Sequence, residues 1–171
     1  IPTMVRDVEF RNLVSSYIRI NRGEYMKEKV FLDIEGNIID TVADCFSSHM
    51  ENGYISLLNY NAFSSLPLSK LGWNVFLLDA IISKSNRFDL FQGSVLDRRY
   101  VRTIVAEKGR YSSFSELVRD LLIKRGKNTI SERELKDILM INNLHVGKIP
   151  AEIINSDLFR YEDDVWHIVK E

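Results

Sequence analysis

The chain is poor in cysteine, proline and long apolar runs. Cys45 is the one cysteine among 171 residues, so an intramolecular disulfide and a Cys-based zinc site are both excluded. That thiol usage suits a reducing compartment, and the expected location is cytoplasmic. No apolar run approaches the roughly 18 residues needed to cross a bilayer, so no membrane span is expected. The opening Ile1-Pro2-Thr3-Met4 has neither the basic n-region nor the apolar h-region of a secretory signal. Ile1 in first place leaves room for a longer parent protein. The eight glycines are scattered and form no phosphate-cradling loop. His49, His145 and His167 lack metal-ligand spacing, no serine lies in a nucleophile elbow, and Cys45 reads as helix core. The expectation is no cofactor, no metal, no small-molecule substrate and no enzyme activity.

What is present is an ordinary globular composition, 45% hydrophobic and 27% charged, enough to bury a core. The net charge of −1 conceals a basic middle between acidic ends. Residues 1–60 hold six basic and nine acidic side chains, residues 61–130 twelve and six, and residues 131–171 five and nine. A local field of that kind steers partners even when total charge is near zero.

Periodicity predicts mainly helices with short β-hairpins, an α+β chain. Phe10, Leu13, Val14, Tyr17 and Ile18 suggest an amphipathic helix over about 6–20, stopped at Asn21-Arg22-Gly23. A short helix or strand follows over Glu24 to Phe31, then a turn at Glu35-Gly36-Asn37. Ile38, Ile39, Val42, Ala43 and Phe46 predict a helix, and Tyr54 to Leu58 a strand. Asn61 to Leu66 has room for a helical turn or two. An apolar helix is expected from about Trp73 to Lys84, with strands over Arg87 to Phe91 and Tyr100 to Ala106. The same order then returns. Ser113 and Ser131 each precede a glutamate by three residues, the capping-box spacing that starts a helix. A strand at Asn128 to Ile130 lies between those helices, and a third helix is expected over Ile149 to Asn155. Strands at Leu158 to Tyr161 and Val165 to Val169 flank an acidic tip, Glu162-Asp163-Asp164.

Helix, strand, helix, helix, hairpin is the order of a winged helix, and residues 113–169 resemble that family. They are most similar to HARE-type helix-turn-helix domains and to the N-terminal domain of the delta subunit of bacterial RNA polymerase. The likeness rests on Glu116-Leu117-Val118, Lys124-Arg125-Gly126-Lys127, Ser131 to Leu135, Leu158-Phe159-Arg160 and Asp164 to Ile168. It covers about a third of the chain and is one of pattern. Residues 38–106 follow the same order more loosely, so the expected organisation is an N-terminal helical segment (1–36) and two winged-helix-like units (37–110 and 111–171).

The resemblance implies a non-catalytic, nucleic-acid-associated module in transcription regulation, with DNA or a nucleic-acid-bound protein complex as partner. Phosphate contact needs Lys and Arg. The candidates are Arg98, Arg99 and Arg102 at the first wing, then Lys108, Arg110, Lys124, Arg125 and Lys127. The bland alternative is that these are solvated loop and helix-end charges. The rival function is a protein–protein assembly module, self-association included, with Trp73, Phe76, Glu162, Asp163 and Asp164 as interface candidates. A remote alternative is a metal-dependent exonuclease fragment. It rests on Phe31-Leu32-Asp33-Ile34-Glu35, where carboxylates on alternate strand residues share one face.

Overall fold

Tyr17-Ile18-Arg19-Ile20 alternates bulky residues suited to a pleated surface. In the computed structural model, which describes residues 16–92 and 100–170, this stretch is a strand, β1 (Tyr17–Asn21), paired antiparallel with β2 (Glu24–Lys27). The helix expected over 6–20 therefore fails at its C-terminal end, and residues 6–15 lie outside the described residues. Asn21-Arg22-Gly23, expected to stop a helix, turns a hairpin instead, with Gly23 at φ 73°. Ile18 is 1% exposed; its burial from a strand outweighed the helical spacing.

α1 (Glu28–Glu35) follows directly and buries Phe31. Asp33 and Glu35 thus stand on a helix, about 200° apart around its axis, not on one face of a strand. The geometric premise of the exonuclease alternative is absent. α2 (Ile38–His49) buries Ile38, Val42, Ala43 and Phe46, its predicted stripe. A 3-10 turn at Phe63–Ser65 falls where one or two helical turns were expected. α3 (Val75–Lys84) starts later than predicted, because Asn74 Oδ1 accepts the Leu77 N–H at 3.0 Å and acts as N-cap. Leu77, Leu78, Ile81 and Ile82 are buried on it.

Contacts group the described residues into two units, 16–49, 60–87 and 100–101 in one, and 50–59, 88–92 and 102–170 in the other. The second unit holds two three-stranded antiparallel sheets. β3 (Tyr54–Ser56), β4 (Phe88–Phe91) and β5 (Ile104–Glu107) lie in the order β3-β5-β4. The strand expected from Tyr100 begins only at Ile104. After α4 (Phe114–Lys124) come β6 (Thr129–Ser131), α5 (Glu132–Ile141), α6 (Ala151–Ile154), β7 (Phe159–Glu162) and β8 (Val165–Ile168), with sheet order β6-β8-β7. The third helix is shorter than the predicted Ile149 to Asn155. Both sheets share one plan: the last strand of the chain segment lies between the other two.

Local chemistry explains the helix limits in this unit. Ser113 Oγ accepts the Glu116 N–H at 3.1 Å and Ser131 Oγ the Glu134 N–H at 3.2 Å, the predicted caps. The Glu116 carboxylate accepts one residue early, from the Ser112 N–H at 2.7 Å. α4 ends in a Schellman motif, with Lys127 N–H to Leu122 O (3.0 Å) and Gly126 N–H to Ile123 O (2.9 Å). α5 ends the same way: Leu144 N–H reaches Leu139 O (2.8 Å) and Asn143 N–H reaches Met140 O (3.0 Å). Asn143 takes the left-handed conformation there, at φ 54°. The core under these elements includes Leu117, Leu122, Ile130, Leu135, Leu139, Ile153 and Trp166, and Ile104 and Ala106 of β5 belong to it.

Candidate functional site

Of the eight basic candidates, Arg98 and Arg99 lie outside the described residues. Arg102 is half-buried just ahead of β5. Lys108 follows β5 and pairs with Asp89 of β4 at 3.1 Å. The Gly109 N–H donates to the same carboxylate at 2.7 Å, and these bonds hold Asp89 below the usual carboxylate range, the backbone bond most. Arg110 pairs with Glu107 at 3.0 Å, and its Nε meets Tyr111 Oη at 3.4 Å. Lys124 pairs with Asp120 at 2.7 Å, one helical turn back. Lys127, beyond α4, pairs with Glu134 of α5. Arg125 has a neutral partner, Asn142 Oδ1, at 3.5 Å. Four of the candidates therefore carry a carboxylate of their own.

Arg110, Tyr111, Glu116, Arg119, Asp120 and Ile123 line a groove of about 230 Å³ beside α4. Within its lining the Tyr111 hydroxyl donates to Asp120 at 3.1 Å, and Asp120 also pairs with Lys124 outside it. Burial pushes the Asp120 carboxyl up, but the bonds from Lys124 and Tyr111 outweigh it and leave it below its ordinary value. Charges of both signs alternate around the groove, which leaves no single-sign field for an ionic ligand.

The interface candidates divide. Trp73 is half-buried and its indole N–H donates to Pro67 O at 2.6 Å. Phe76, on α3, is capped by the guanidinium of Arg19 at 4.2 Å from the ring centre. Both are engaged within the first unit. At the second hairpin Glu162 belongs to β7 and pairs with Arg160 at 3.0 Å. Asp163 and Asp164 form the exposed two-residue turn, at φ 53° and 61°.

Two surfaces escaped the sequence reading. Met140, Ile141 and Val146 are 50%, 69% and 57% exposed at the end of α5. A signal existed: Ile138-Leu139-Met140-Ile141 is too long an apolar run for one helical face. The other is the loop 67–72. Glu35 accepts from Ser69 Oγ (3.0 Å), the Lys70 N–H (3.2 Å) and the Leu71 N–H (2.9 Å), while Leu68 stands 94% exposed. No local pattern reveals a contact spanning more than 30 residues.

Among the described residues no group of three His, Cys, Asp or Glu is placed to hold a metal ion, and no helix is long and apolar enough to cross a membrane. Cys45 donates to Ser65 O at 3.2 Å, and burial pushes its thiol up, away from the reactive thiolate. Compared with protein-family models, curated proteins and solved structures, the chain matches none of them.

Proposed function

We propose that the chain is a non-catalytic assembly module, built from two winged-helix-like units in tandem, that works by binding other proteins. The shared sheet plan supports the fold reading: β3-β5-β4 and β6-β8-β7 each set a hairpin's second strand beside an earlier strand, as a wing requires. The resemblance of residues 113–169 to HARE-type domains points the same way.

The observation that carries the assembly reading is the pairing of the basic side chains. Lys108, Arg110, Lys124 and Lys127 each face a carboxylate. A phosphate must displace that carboxylate, forfeiting a pair worth about 0.2–1 kcal/mol and leaving a like charge nearby. The helices add nothing to groove reading. α3 buries Leu77, Leu78, Ile81 and Ile82, α6 spans four residues, and the tip of the second hairpin is acidic. A titration with nonspecific duplex DNA at low salt tests this. Expected is at most weak binding with a shallow salt dependence; tight binding that weakens steeply with salt would overturn the assignment.

One observation favours a nucleic-acid-associated role in transcription regulation as a second reading. Arg102, Lys108 and Arg110 bracket a single strand, β5, and Arg125 pairs with no carboxylate among the described residues. On that reading, changing Arg98, Arg99 and Arg102 together to Ala flattens the salt dependence of duplex binding. An unchanged slope discards it.

A further inference from the structure

We propose that Met140 is a redox-modification site: a peroxide oxidises its thioether to the sulfoxide in the folded chain and makes an apolar spot of surface polar. The chain has four methionines, and Met26, Met50 and Met140 are among the described residues. Their surroundings differ. Met50, just beyond α2, is 6% exposed, and its carbonyl accepts the Gly53 N–H at 3.2 Å. Met26 lies on β2 across from Ile18, a fully buried residue, and is itself half-buried. Met140 is 50% exposed in the last turn of α5.

The helix pattern sets that exposure. Leu135, Ile138 and Leu139 are the buried residues of α5. Position 140 falls roughly 150° round the axis from the middle of that face. A dissolved oxidant therefore reaches the Met140 sulfur with the fold intact. Met50 reacts in molecules that have opened locally, and is slowed by that equilibrium.

The chemistry balances with a peroxide as the one co-reactant. The sulfur lone pair attacks one peroxide oxygen; an S–O bond forms and the O–O bond breaks. With hydrogen peroxide, the proton on the transferred oxygen passes to the departing one, which leaves as water. Sulfur is oxidised by two electrons and the peroxide is reduced by two. Methionine sulfoxide reductases reverse the change, a dithiol becoming a disulfide as the oxygen leaves as water.

The neighbours give the change its effect. Ile141 is 69% exposed beside Met140, and Val146, where the chain doubles back, is 57% exposed. A sulfoxide puts a polar acceptor next to these apolar side chains. The turn itself is held by main-chain bonds, Asn143 N–H to Met140 O (3.0 Å) and Leu144 N–H to Leu139 O (2.8 Å). Neither uses the thioether, so the fold survives the oxidation.

The test treats the whole chain with graded hydrogen peroxide. Peptide mapping by mass spectrometry reads each methionine separately, and a phenyl hydrophobic-interaction column reads the surface. Met140 should convert about tenfold or more faster than Met50, and ahead of Met26. The fraction oxidised at Met140 alone should elute earlier than the parent at an unchanged melting temperature. Methionine sulfoxide reductase with dithiothreitol should restore its retention. Met140→Gln, polar from the start, should elute early without peroxide. Met26 or Met50 reacting as fast as Met140 would overturn the inference. So would unchanged retention of the Met140-oxidised fraction, or a fall in its melting temperature.

Discussion

The side chain of Arg110 fills the space against Gly53: a β-carbon on Gly53 would lie 2.5 Å from Arg110 Cδ and 2.7 Å from Cζ. Gly53 also sits at φ 80°, where a side chain is strained. A residue that charge patterning marks for phosphate is thus a packing element, its stem on the turn before β3 and its head on Glu107 and Tyr111. Gly53→Ala should destabilise the protein by about 1–3 kcal/mol in urea unfolding. Adding Arg110→Ala should recover the steric part and leave the φ part. Full additivity of the two changes would show that the side chains do not meet.

The second hairpin closes on Asp163 and Asp164, both left-handed, a turn type for which Asn-Gly is the favoured pair. Replacing them with Asn and Gly should raise stability by about 1–2 kcal/mol. A lower urea midpoint would mean the two carboxylates do something beyond turning the chain.

Glu35 gathers Ser69, Lys70 and Leu71 with three hydrogen bonds. Glu35→Ala leaves those donors to water and should cost about 1–3 kcal/mol. Leu68→Ser, at a site 94% exposed, should change stability by less than about 0.5 kcal/mol. Equal losses from the two changes would contradict the clamp.

Acid should lower the stability of the protein in two stages. Burial, helped by nearby Arg102, lowers the pKa of His145, so the unfolded chain protonates first. Stability is whole above the ordinary histidine range, about 6.5, and falls as pH drops through it, levelling once the folded imidazole is protonated. Glu116, bonded by the Ser112 hydroxyl and N–H, and Asp120 are held below their ordinary values. Their contribution is present above about pH 4 and is lost as pH falls further. Urea midpoints from pH 8 downward should show both stages. His145→Gln should erase the first alone, and its persistence would reassign it.

Much of the fold was legible where short-range chemistry decides. Ser113 and Ser131 announced two helices, Ile38 to Phe46 another, and strands were found where expected from Phe88 and from Phe159. The errors came where distant contacts decide. Tyr17 to Asn21 carries spacing that suits a helix, yet pairing with β2 and burial of Ile18 make it a strand. Asp33 and Glu35 read as a strand end, yet they stand on α1, which buries Phe31 and closes with the Gly36 N–H donating to Leu32 O. For the site, sequence located the cations, and Glu107 and Asp120 lie within four residues of theirs, but Asp89 and Lys108 meet only because β4 and β5 pair.

The most direct measurement is the salt dependence of duplex binding by the parent chain and by a variant carrying Asp89→Asn, Glu107→Gln and Glu134→Gln. If carboxylates mask the cations, the parent binds weakly with a shallow slope, and the variant binds more tightly. Its log–log slope should steepen by up to about 0.9 for each cation released. A parent that already binds with a steep slope, unchanged in the variant, would contradict the account.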